Sequence, residues 1–177
     1  MAVTSSAVLF FLLVLALIGG PAAQAQTIDP HALYEQRCSG CHLPHAGDFA
    51  RDTLERAGNR IVVRGTGKEL RSFLARGHGK LSPAEIDVMV DHLTFIVDAG
   101  ALFRKKCFDC HGRAVVFARS TLVLRDGTLY GRYSRRETAP FMENHGRLNG
   151  DQVATVVTML KGQLAAQPLR PTGTAGH

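Results

Sequence analysis

The chain has 177 residues with 21 Lys and Arg against 15 Asp and Glu, a formal net charge of +6, 8 His and 4 Cys. That length bounds the fold to one domain or two small ones. The charge excludes an acidic chain; four cysteines would ordinarily be read first as two disulfides, but the residues that follow them argue otherwise.

Residues 1–25 contain no charged side chain, and the run Ala7 to Ile18 is apolar throughout. A membrane-crossing helix needs about 20 apolar residues. Here Gly19, Gly20 and Pro21 interrupt the run before Ala23-Gln24-Ala25. The pattern predicts a signal peptide over residues 1–25, cleaved after Ala25, and export to the periplasm; an uncleaved N-terminal membrane anchor is the alternative.

Next comes a predicted helix, Leu33-Tyr34-Glu35-Gln36-Arg37, leading into Cys38-Ser39-Gly40-Cys41-His42. The second half repeats it as Leu102-Phe103-Arg104-Lys105-Lys106 before Cys107-Phe108-Asp109-Cys110-His111. Each Cys-x-x-Cys-His is the attachment pattern of a c-type haem. Two cysteines on one helical turn can form thioethers to the ring, and the following imidazole ligates the iron. A four-cysteine zinc site is the competing reading, but the pairs lie too far apart for a zinc ribbon, and zinc explains neither histidine. The expected cofactors are two covalently bound haem c groups, held by Cys38, Cys41, Cys107 and Cys110, with His42 and His111 as proximal iron ligands. Both cysteine pairs are then consumed, leaving no thiolate as a further ligand.

The likeness extends beyond these motifs. Phe49-Ala50-Arg51-Asp52-Thr53-Leu54 matches Phe117-Ala118-Arg119-Ser120-Thr121-Leu122, and His78-Gly79-Lys80-Leu81 matches His145-Gly146-Arg147-Leu148. Matches in one order mean a duplicated unit. The expected divisions are residues 26–98, residues 99–165 and a flexible tail at 166–177. Asp126-Gly127 predicts a tight hairpin, with a weaker counterpart at Gly58-Asn59. Ser82 with Glu85 forms a capping box for a helix with the apolar stripe Ile86, Met89, Val90, Leu93, Ile96 and Val97; Val153, Val156, Val157 and Leu160 form its counterpart. The expected fold is mainly α, each unit with a short β-hairpin between its haem segment and its terminal helices.

With these residues in view, the chain resembles the class I cytochrome c family, in which a helix leading into Cys-x-x-Cys-His crosses a C-terminal amphipathic helix beyond a distal-ligand loop. The resemblance implies two tandem cytochrome c-like domains and electron transfer. The family's loop methionine is replaced here by His-Gly-Lys-Leu and His-Gly-Arg-Leu. The repeat selects His78 and His145 as distal ligands, because only histidine recurs at equivalent positions; Met142 is the runner-up in the second unit. Met89 is read as core, His92 as packing on the first helix, His45 as a same-side surface residue and His31 as solvated, while Met159 is the counterpart of His92. Two bis-histidine haems would make a low-potential carrier, since thioether ligation raises the potential.

From 26 to 98 there are 9 Lys and Arg against 10 Asp and Glu, a net −1; from 99 to 177 there are 12 against 5, a net +7. Arg104, Lys105 and Lys106 beside the second haem motif predict docking of an acidic redox protein, with attraction to an anionic membrane surface as the alternative. Nucleic acid is not an expected partner. The reading is a periplasmic dihaem electron-transfer protein and not an enzyme. Its alternatives are a cytochrome subunit of a periplasmic dehydrogenase, or a haem enzyme or sensor with a displaceable distal ligand.

Overall fold

The computed structural model describes residues 27–165. The leader expected at 1–25 and the tail at 166–177 lie outside the described residues. Within them the chain is mainly helical with two small antiparallel hairpins, as the sequence leads one to expect. In the first half α1 (Pro30–Arg37), α2 (Ala46–Thr53), β1 (Leu54–Ala57), β2 (Arg60–Val63) and α3 (Leu70–Ala75) precede a 3-10 turn at His78–Lys80 and α4 (Pro83–Lys106). The second half repeats the order as α5 (Phe108–His111), α6 (Ala114–Thr121), β3 (Leu122–Arg125), β4 (Thr128–Gly131), α7 (Thr138–His145) and α8 (Gly150–Ala165).

Local chemistry explains most boundaries. Ser82 Oγ accepts from the Glu85 N–H at 3.3 Å while Glu85 Oε2 accepts from the Ser82 N–H at 2.7 Å, so two orphan donors of α4 are satisfied reciprocally. Asn149 and Gln152 make the same reciprocal pair before α8. β3 and β4 pair from Leu122 with Gly131 to Arg125 with Thr128. Their turn has Asp126 at φ 47° and Gly127 at φ 74°, the two left-handed residues of a type I′ turn. β1 and β2 pair from Leu54 with Val63 to Ala57 with Arg60, and Gly58 at φ 61° supplies the left-handed first position.

Each hairpin is tied to its neighbours in the same way. Arg64 Nη2 donates to the Leu54 carbonyl at 2.9 Å and the Arg51 carbonyl at 3.3 Å. Arg132 Nη2 donates to the Leu122 carbonyl at 3.1 Å and the Arg119 carbonyl at 3.0 Å. A cationic side chain thus satisfies carbonyls left over at the ends of α2 and α6.

One feature departs from the sequence division. The boundary expected between residues 98 and 99 falls inside α4, a single unbroken helix of 24 residues, about 36 Å long at 1.5 Å per residue. Its N-terminal part carries Ile86, Met89 and Leu93 into one hydrophobic cluster with Leu33, Tyr34, Leu54 and Leu74. Phe103, near its other end, enters a second cluster with Leu122, Leu129, Val153, Val156 and Leu160. So α4 is the terminal helix of the first unit and the leading helix of the second. It packs on α1 at one end and on α8 at the other. Each fully buried aliphatic side chain in these clusters contributes about 1.5–3 kcal/mol. Arg56 forms a two-pronged ion pair with Asp98, clamping the first hairpin to the middle of α4.

Candidate metal centres

Both Cys-x-x-Cys-His segments are wound into a helical turn directly after a helix. The Cys38 N–H donates to the Tyr34 carbonyl at 2.9 Å, and the His42 N–H donates to the Cys38 carbonyl at 3.0 Å. In the second unit the Cys107 N–H donates to Phe103 at 2.8 Å and the His111 N–H to Cys107 at 2.9 Å. None of the four cysteines is in a disulfide; Cys38 and Cys107 are half-buried, and Cys41 and Cys110 are exposed. Burial pushes the Cys38 and Cys107 thiols up.

The structure brings His42 together with His78, and His111 with His145, across 36 and 34 residues of chain. In both pairs the ring centroids are 5.9 Å apart with an interplanar angle of 61°. Two imidazole–metal bonds of about 2.0–2.1 Å place the ligating nitrogens about 4 Å apart, and half a ring on each side brings the centroids to about 6 Å. The residues therefore fit a metal held between two facing imidazoles. His42 and His111 have their pKa lowered, first by burial and then by the facing His78 and His145. A neutral imidazole is the form that ligates a metal.

The equality of the two pairs is notable because the chain reaches them differently. Leu74 of α3 corresponds to Met142 of α7 at an offset of 68, but His78 lies four residues beyond Leu74 and His145 three beyond Met142. The extra residue is absorbed after α3, where Gly77 turns into the left-handed region at φ 96°. Only glycine does this without steric cost.

Aromatic rings fix both imidazoles of each pair. Phe49 lies 4.8 Å from His42, and Phe73 lies 4.5 Å from His78. Phe117 lies 4.4 Å from His111, and Phe141 stacks on His145 at 4.7 Å and 20°. Phe73 and Phe141 were not selected from sequence. Extending the repeat at the 68-residue offset into α3 and α7 would have found them.

A cavity of about 680 Å³ in the second unit is lined by Cys107, Cys110, His111, Phe141, Met142 and His145, among others. That volume is in the range of a cofactor site. Met142 is 9% exposed and belongs to the second hydrophobic cluster, in register with the buried Leu74. Met89, at 1% exposure, is core. His92 is half-buried in α4; burial and then His31 at the start of α1 lower its pKa, against Asp29. His31 pairs with Glu35 at the surface at 3.2 Å. His45 precedes α2 without capping it, and Met159 is half-buried against the second cluster.

Among the described residues no three His, Cys, Asp or Glu side chains converge into a protein-only metal site. Each facing pair could supply two imidazole ligands to a group held between its rings. No helix among those residues is long and apolar enough to cross a membrane. Comparison with protein-family models, with curated proteins and with solved structures finds no match to the chain.

Proposed function

We propose that the chain is an exported electron-transfer protein that binds two haem c groups, one per unit. The observation that carries this reading is the recurrence, in both halves, of two imidazoles facing at 5.9 Å with a Cys-x-x-Cys immediately before one of them. Two imidazoles facing each other beside two free thiols would suit a haem, which supplies the rest of its iron's donors itself. Bound there, haem supplies a one-electron iron couple.

The chain's residues would divide the work. Cys38, Cys41, Cys107 and Cys110 would form the thioethers, His42 and His111 would hold the proximal side, and His78 and His145 would hold the distal side. If both imidazoles ligated the iron, no position would be left for oxygen or peroxide, which would favour electron transfer over catalysis. Phe49, Phe73, Phe117 and Phe141, each in ring contact with one of these imidazoles, would help to set the imidazole planes. Arg104, Lys105 and Lys106, all exposed at the end of α4, lie beside the second site, and Lys106 lines its cavity. These cations would steer an acidic redox protein toward that opening.

The test is the full chain produced in a host that matures c-type cytochromes. Intact mass is expected to show two covalently added haems, and the oxidised spectrum two low-spin centres lacking the far-red band of methionine ligation. Rapid carbon monoxide binding to the reduced protein would refute the closed bis-histidine carrier in favour of an enzyme or sensor. Absence of covalent haem would refute the reading altogether.

A further inference from the structure

The two sites are alike in their imidazoles and unlike at one buried position. Thr138, the first residue of α7, is 6% exposed, and its Oγ1 has no hydrogen-bond partner among the described residues. It lines the same cavity as Cys107, His111 and His145. A buried hydroxyl left unpaired is costly, so its presence points to a partner that occupies the cavity. The surroundings select the partner's chemistry. Glu137 precedes α7 without capping it by its side chain, leaving N–H groups of the first turn to bond elsewhere. Two cations, Arg136 and Lys106, line the cavity with one carboxylate, Glu137. Hydroxyl, amide and guanidinium donors together suit an anionic oxygen acceptor. At the equivalent place in the first unit stands Leu70, 4% exposed, which can donate nothing.

Resting on the dihaem reading, we propose that Thr138, with the first turn of α7 and Arg136, receives a carboxylate side chain of the second haem and thereby makes the second centre the one reduced first. A carboxylate near an iron favours the more positive, oxidised state. Donors that draw off its charge relieve that preference and raise the potential. The segment charges act in the same direction, −1 for residues 26–98 and +7 for residues 99–177. Electrons would therefore rest in the second unit, next to Arg104, Lys105 and Lys106.

The experiment is a reductive titration of the full-length holoprotein, followed optically and by the paramagnetically shifted haem resonances that tell the two centres apart. Two one-electron steps are expected, the upper belonging to the second unit. Thr138→Val is expected to move the upper step down and leave the lower in place. Its pH dependence should move to higher pH, because a carboxylate that loses a donor is more easily protonated. Thr138→Ser is expected to restore both, and Leu70→Thr to raise the lower step. Thr138→Val or Leu70→Thr leaving both steps unmoved, or shifting both equally, would overturn the inference while the dihaem reading stands. A wild-type protein whose mass shows no covalent haem would sink the reading itself and the inference with it.

Discussion

Tyr34 offers a test of how the first site is held. Its ring is fully buried, packs at 5.8 Å on Phe49, and its hydroxyl donates to the Leu43 carbonyl at 2.7 Å. Leu43 directly follows His42, so this bond fastens α1 to the loop leaving His42. The second unit has Phe103 at the corresponding position, showing that a bare ring packs there. Tyr34→Phe should therefore remove the hydrogen bond without a cavity, at a cost of about 1 kcal/mol. With a urea dependence of about 2 kcal/mol/M, the unfolding midpoint at pH 7 should fall by about 0.5 M with an unchanged slope. Alkaline pH reverses the comparison. Burial above all, then the nearby Cys38 and Asp48, pushes the Tyr34 phenol up to about 12. A raised folded-state pKa gives stability that is complete below the unfolded value of about 10 and is lost as pH rises toward the folded one. Wild type then loses about 1.4 kcal/mol per pH unit above pH 10 that Tyr34→Phe does not lose, so the two should become equally stable near pH 11. A variant as stable as wild type at pH 7, or a gap unchanged up to pH 12, would refute the assignment.

His78→Ala and His145→Ala should each convert one of two low-spin centres to a high-spin or carbon monoxide-binding one, leaving the other unaltered; paramagnetic resonance counts the centres. Met89→Leu and Met142→Leu, volume-conserving changes in the two clusters, should cost less than about 1.5 kcal/mol in chemical denaturation. Neither should change the oxidised spectrum, and a change with Met142→Leu would revive it as a ligand. Ser82→Ala, which opens the capping box of the helix shared by both units, should cost about 1 kcal/mol, read as a midpoint shift in thermal unfolding. Reversing the charges of Arg104, Lys105 and Lys106 should flatten the salt dependence of reduction by an acidic redox protein; an unaltered dependence would remove these residues from the docking surface.

The local features were legible because local rules govern them. The Asp126-Gly127 turn follows from the left-handed preference of those residues, and the Ser82–Glu85 box from hydrogen bonds closed within one helical turn. Met89 was identifiable as core from its place in an apolar stripe of period 3.6. The weaker hairpin at Gly58-Asn59 has the same strand lengths as its partner, and only its turn conformation differs. The continuity of α4 was not legible. Residues 98–101, Asp-Ala-Gly-Ala, carry no apolar stripe, and the pattern on either side belongs to different cores. Nothing there stops a helix either, since Gly100 alone costs only about 1 kcal/mol.

The sequence by itself determined the two Cys-x-x-Cys-His turns, their duplication and the recurrence of one histidine type downstream, because spacing within a turn and identity at a repeat offset are properties of the chain alone. Tertiary structure decided what no spacing contains. It set His42 against His78 and His111 against His145 at one common geometry, despite the one-residue difference that Gly77 absorbs. It also put Phe73 and Phe141 on the imidazoles of His78 and His145 and placed the unpartnered Thr138 hydroxyl in the cavity of the second unit, where the first unit has Leu70. These are consequences of packing between elements distant in sequence, settled only when α3 and α7 close over the segments that follow α1 and α4.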